Sequence, residues 1–190
     1  IECEIIYTDT YNTFVTAWHN MGMSGNKEYY KIKEVDIVSH GVFITEQNQY
    51  VLWLADRNTS QIDSYIAGSD FSIISELQDK KIDVVRVSAC FGGQEGLGTN
   101  VAKGIIENNH VSEVYAWDGT AYFVYQWNDV PDPFFAFTQK KQFYEKQFTG
   151  EHWHIYEYTT EEDRLGLLRY YRDSNNNVTY EIVGETYWET

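Results

Sequence analysis

The chain of 190 residues carries 29 Asp and Glu against 14 Lys and Arg, a formal net charge of −15, with 43% hydrophobic and 17% aromatic residues. That charge disfavours nucleic acid as a partner, because phosphate binding needs clustered cations, and it points to basic peptides or proteins instead. The apolar content excludes disorder, no run approaches the ~18 apolar residues of a membrane span, and the two cysteines, Cys3 and Cys90, are too few for a disulfide framework or a thiolate zinc site.

A chain of this length builds one core, or one core with a small appendage. It opens at Ile1 without Met, and residues 1 to 30 lack a basic start, an apolar middle and a cleavage site. A segment of a larger polypeptide is therefore expected. In chain order, residues 2–7 read as a strand and Thr8-Asp9-Thr10 as the start of a helix, with Tyr11, Phe14, Val15, Trp18 and Met21 on one face and Gly22 as its stop. The run 35–39 predicts a strand delivering His40-Gly41, followed by a hairpin of Val42 to Thr45 with Tyr50 to Leu54.

Asp70 is placed to cap a helix whose Ile73, Ile74 and Leu77 share a face. A second β-branched run, 84–88, leads through Ala89 to Cys90 and a glycine-rich loop. Thr99 or Asn100 then caps a helix that turns Val101, Ala102, Ile105 and Ile106 inward, and Val114 to Trp117 makes a strand ending at Asp118-Gly119. Pro131-Asp132-Pro133 predicts a break, 134–148 a helix, and His152 to Tyr158, Leu167 to Tyr171 and Val178 to Val183 three strands, the last two joined by a turn at Asp173 to Asn177. Alternating strands and helices from 2 to 117 predict an α/β fold: a mostly parallel sheet with helices on both faces over 1–150, and a C-terminal β-meander, 151–190, packed on that core.

Reactive groups at the carboxyl ends of parallel strands gather at one rim of the sheet. Here they are His40 and Cys90. A thiol becomes nucleophilic as its thiolate, and a neighbouring imidazole can hold that proton and later give it to a leaving group. The glycine after His40 suits this role, since a side chain at 41 would crowd a substrate carbonyl.

A hydrophobic strand ending in His-Gly, followed about fifty residues later by one ending in Ala-Cys, resembles the caspase-like cysteine peptidases. In this chain the pairs are His40-Gly41 and Ala89-Cys90, and the resemblance covers residues 2 to 120 as an order of elements. The glycine-rich loop and the strand ending Ala116-Trp117-Asp118-Gly119 are more similar to the bacterial branch, which includes domains of large toxins and effectors. The resemblance implies a cysteine endopeptidase with Cys90 as nucleophile, His40 as general acid, and the N–H groups of Gly41 and Cys90 as oxyanion hole. It implies no metal or other cofactor, a protein or peptide substrate, a regulatory or immunity protein as a further partner, and action in a cytoplasm. It also maps the pocket for the residue preceding the cut onto Asp9, Ser88, Trp117 and Asp118. A carboxylate there would favour Arg or Lys. The caspase motif has Gln two residues before the cysteine and Arg after it, where this chain has Ser88 and Phe91, so selectivity for Asp is not implied.

Other readings stand beside these. Cys90 and His40 are also compatible with a catalytically silent α/β recognition module whose acidic surface docks a basic protein. The loop Gly92 to Gly98 has the glycines of a phosphate cradle but no Gly-Lys-Ser/Thr ending, and Glu95 would repel an anion. His152-x-His154 places two imidazoles on one face of a strand without an evident third ligand. Cys3 is read as structural. Asp9 equally suits a helix cap, and Asp118-Gly119 an ordinary turn.

Overall fold

The computed structural model describes residues 4–24, 27–28, 31–45, 48–54, 65–66, 77–127, 130–132, 153–157 and 165–184. Its elements in chain order are α1 (Tyr11–Asn20), β1 (Met23–Ser24), β2 (Lys27–Glu28), β3 (Glu34–Val38), β4 (His40–Ile44), β5 (Gln49–Trp53), β6 (Tyr65–Ile66) and β7 (Val84–Ser88). These are followed by α2 (Val101–Asn108), β8 (Glu113–Trp117), β9 (Ala121–Trp127), β10 (Val130–Asp132), β11 (Trp153–Glu157), β12 (Leu167–Arg172) and β13 (Val178–Gly184).

The central sheet has five strands in the order β13-β12-β8-β7-β3. It is mixed: β3, β7 and β8 run parallel, while β12 and β13 are antiparallel. In register, Ile37, Val87, Ala116 and Leu168 line up across one face, as do Val85, Val114 and Tyr170. All seven are buried in one core cluster with Phe14 and Trp18 of α1 and Val101, Ala102, Ile105 and Ile106 of α2. At ~25 cal/mol per Å² of buried apolar surface, this cluster is the main stabilising feature of the fold.

The opposite face carries charged pairs over most of its length, with Ser88, Trp117 and Leu167 buried near one end. Arg86 Nε donates to Glu34 at 2.6 Å and its guanidinium lies 4.9 Å from the Tyr115 ring centre. Arg169, opposite Tyr115, reaches Glu181 at 2.7 Å and Glu113 at 3.2 Å. Helical cover on both faces was expected, but among the described residues both helices bury their side chains on the first face.

Helix α1 begins where expected. Thr10 caps it, its hydroxyl accepting from Thr13 N–H while Thr10 N–H donates to Thr13 Oγ1 at 3.0 Å. Gly22 follows at φ 70°, the left-handed stop that the sequence predicts. Residues 4–7, the described part of the strand expected over 2–7, belong to no strand, and Ile6 and Tyr7 are exposed. An apolar alternation becomes a strand only where an edge pairs its N–H and C=O groups.

The C-terminal strands also differ from expectation. They are not a separate meander. β11 pairs with β9 in a three-stranded sheet of order β10-β9-β11, whereas β12 pairs with β8 and buries Leu168 and Tyr170 in the main core. Pro131 lies in β10, an edge strand where its missing N–H costs no ladder bond. The helices predicted from Asp70 onward and over 134–148 fall outside the described residues, although Leu77 is in the core.

Candidate active site

The His and Cys runs are neighbours. β3 and β7 pair in parallel register from Glu34 with Val84 to Val38 with Ser88, so both chains arrive at the same rim. There they diverge. Ser39 N–H donates to the Ser88 carbonyl at 3.3 Å, continuing the ladder by one bond, and its hydroxyl donates to the Trp53 carbonyl at 2.6 Å. The chain then turns out as β4, with His40 opposite Trp53 and Gly41 opposite Leu52 in the hairpin with β5. His40 therefore starts the hairpin, where the sequence suggests the end of the preceding strand.

Gly41 packs directly on Cys90. A β-carbon at 41 would lie 1.7 Å from the Cys90 carbonyl oxygen and 3.2 Å from its α-carbon. Glycine is required here because the main chain of Cys90 fills the side-chain position. This clash within the protein itself requires glycine independently of any substrate carbonyl.

Cys90 is a half-buried reduced thiol whose Sγ lies 3.6 Å from the Ala121 carbonyl oxygen, at the start of β9. The next residue, Phe91, has φ 56°. Left-handed backbone costs a residue with a side chain about 1–3 kcal/mol. Two contacts offset it: Phe91 N–H donates to the Gly119 carbonyl at 2.7 Å, and its ring stacks on Tyr50 with centres 4.2 Å apart. Such a stack contributes roughly 0.5–1.5 kcal/mol.

The loop beyond is tied down from three sides. Gly93 N–H donates to the Trp117 carbonyl at 2.9 Å, and Ala102 N–H donates to the Gly92 carbonyl at 3.2 Å. The Tyr170 hydroxyl lies 2.6 Å from the Gly93 carbonyl oxygen and 2.8 Å from Glu95 Oε1, and accepts from Asn100 Nδ2 at 3.1 Å. Lys103 pairs with the other Glu95 oxygen at 2.7 Å. Burial, reinforced by the neighbouring Glu95 carboxylate, pushes the Tyr170 hydroxyl pKa far above its ordinary value. Glu95 is thus turned into the loop and engaged by Asn100, Tyr170 and Lys103, and its carboxylate there would repel a phosphate.

Of the four residues mapped onto a substrate pocket, Ser88 and Trp117 end the paired strands β7 and β8, Asp118 follows directly, and Asp9 precedes α1. Ser88 is fully buried and donates to Asp36 at 2.6 Å. Trp117 is fully buried, and Asp118 is 2% exposed, its carboxylate accepting from Glu95 N–H at 2.6 Å and Leu165 N–H at 2.9 Å. A carboxylate that holds two backbone donors in the interior acts as a loop anchor. Asp9 is exposed, with Oδ1 3.2 Å from the Thr13 hydroxyl.

Among the described residues no three His, Cys, Asp or Glu side chains gather as metal ligands, and no helix is long and apolar enough to cross a membrane. His152 lies outside them. Residues that sequence reasoning missed are Ser39, Tyr50, Phe91, Asn100 as a loop partner, and Tyr170. Only the Phe before two glycines offered a local signal. No family model, curated protein or solved structure matches this chain.

Proposed function

We propose that this chain is a caspase-like cysteine endopeptidase in which Cys90 attacks a peptide carbonyl and His40 serves the leaving group. The observation that supports it most is the packing of Gly41 on the Cys90 main chain. That contact brings the residue next to His40 against the candidate nucleophile, at the shared rim of two parallel strands.

In this mechanism the Cys90 thiol loses its proton to His40 and the sulfur bonds to the carbonyl carbon. The carbonyl oxygen takes the negative charge and accepts from the N–H groups of Gly41 and Cys90, each donor worth on the order of 2–4 kcal/mol. His40 then protonates the departing amine as the C–N bond breaks, leaving a thioester. Water, deprotonated by His40, attacks the thioester, and the thiol and the acid product are released. A preference for Arg or Lys before the cut follows from Asp9 and the net charge of −15, which attract basic segments.

The test is a peptide library incubated with the intact protein and with Cys90→Ala. Cleavage by the first alone, enriched after Arg and Lys, is expected. Equal inactivity of both would favour the silent recognition module, and cleavage after other residues would remove the basic preference alone.

A further inference from the structure

We propose that Tyr50 is a positioning residue for Cys90, holding Phe91 in the left-handed conformation that sets the cysteine main chain against the His40 strand. The catalytic consequence rests on the peptidase reading; the structural consequence does not.

Phe91 has φ 56° immediately after Cys90. A residue with a side chain leaves that region unless it is held there. The ring of Tyr50 holds it, stacked at 4.2 Å with the planes 16° apart. Tyr50 is in turn backed by Phe43, directly opposite it in the hairpin, at 5.1 Å and 60°. The same hairpin carries His40 opposite Trp53 and Gly41 opposite Leu52. One aromatic stack therefore joins the hairpin that begins at the candidate base to the residue adjoining the candidate nucleophile. Relaxation of Phe91 to negative φ would rotate the peptide between 90 and 91, whose carbonyl is the group that Gly41 meets. Cys90 and His40 would then lose their mutual register.

The experiment compares the full chain with Tyr50→Leu, Tyr50→Phe and the double variant Tyr50→Leu/Phe91→Gly, reading kcat, KM, thermal unfolding and the pH profile of Cys90 alkylation by iodoacetamide. Tyr50→Leu is expected to lower kcat on the order of 10- to 100-fold with KM little changed, and to shift the alkylation profile. Tyr50→Phe should restore both. The double variant should recover much of the loss, since glycine adopts positive φ unaided.

An unchanged kcat and alkylation profile in Tyr50→Leu overturns the proposal, as does a rise in KM alone, which would make the stack a substrate subsite. Failure of the folded double variant to recover also overturns it. If the chain cleaves no peptide, the peptidase reading falls and alkylation alone decides: a profile shifted by Tyr50→Leu and restored by Phe91→Gly supports the clamp, and an unshifted one overturns it.

Discussion

Gly41 and Cys90 touch through their main chains, so closely that a β-carbon at 41 would stand 1.7 Å from the Cys90 carbonyl oxygen. Gly41→Ala must therefore push the β4 hairpin away from the cysteine loop. Overpacking of this kind costs about 1–3 kcal/mol. Urea unfolding should show that loss, and peptide cleavage should fall far more than stability does. A variant as stable and as active as the parent would mean that the contact is not needed.

Cys90→Ala and His40→Ala should each abolish cleavage while leaving the cooperative unfolding transition in place, because neither side chain belongs to the core cluster. The double variant should be no worse than either single one, since a dyad works as a unit. Residual rates that multiply would show that the two act independently.

Asp118 separates an anchor from a pocket. Asp118→Asn keeps shape and one acceptor but loses the charge and one of the two bonds from Glu95 and Leu165 N–H. Stability should drop by roughly 1–3 kcal/mol with the cleavage preference unchanged. A lost preference for Arg or Lys at unchanged stability would restore Asp118 to a substrate pocket.

Tyr170 makes stability fall in alkali. Its folded pKa lies above the ordinary value of about 10, chiefly through burial, so below that pH both folded and unfolded forms are protonated and the contribution is complete. Above pH ~10 the unfolded chain releases a proton that the folded chain keeps, and stability declines by about 1.4 kcal/mol per pH unit for this group. Tyr115, shifted upward by burial and by Glu113, acts in the same direction. Unfolding curves from pH 8 to 11 should show the decline, and Tyr170→Phe should reduce its slope by about one proton. The same variant should lose about 1–3 kcal/mol at pH 7 by removing the hydroxyl's bonds to the Gly93 carbonyl and Glu95, while the Asn100 amide keeps the Gln94 carbonyl and Glu95.

Asp9 and Thr10 are adjacent but differ in task. Thr10→Ala removes the helix cap and should cost about 1 kcal/mol with no change in cleavage preference. Asp9→Ala should weaken cleavage after Arg relative to other residues with little loss of stability. If Asp9→Ala alters stability alone, the acidic surface rather than this carboxylate attracts basic substrates.

Much of the fold was legible because its signals are local. The β-branched runs ending near His40 and Cys90, the helix start at Thr8-Asp9-Thr10, the apolar stripe of α2 and the Asp173 turn each follow from neighbours in sequence, and each is where the chain places it. That the strands leading to His40 and Cys90 lie side by side, with their carboxyl ends at one rim, was also expected from the rule that parallel strands present those ends together.

Tertiary structure decided the remainder, for reasons no short window contains. Which strands pair depends on edges that only the folded sheet offers, so residues 4–7 joined no strand while β12, far downstream, took its place beside β8. Burial is likewise collective: Ser88, Trp117 and Asp118 look available in sequence, yet packing encloses them and directs the polar groups of Ser88 and Asp118 to internal partners. Phe91 shows the same dependence. Its left-handed backbone is not a preference of phenylalanine and persists only because Tyr50 and the Gly119 carbonyl, both distant in sequence, hold it there.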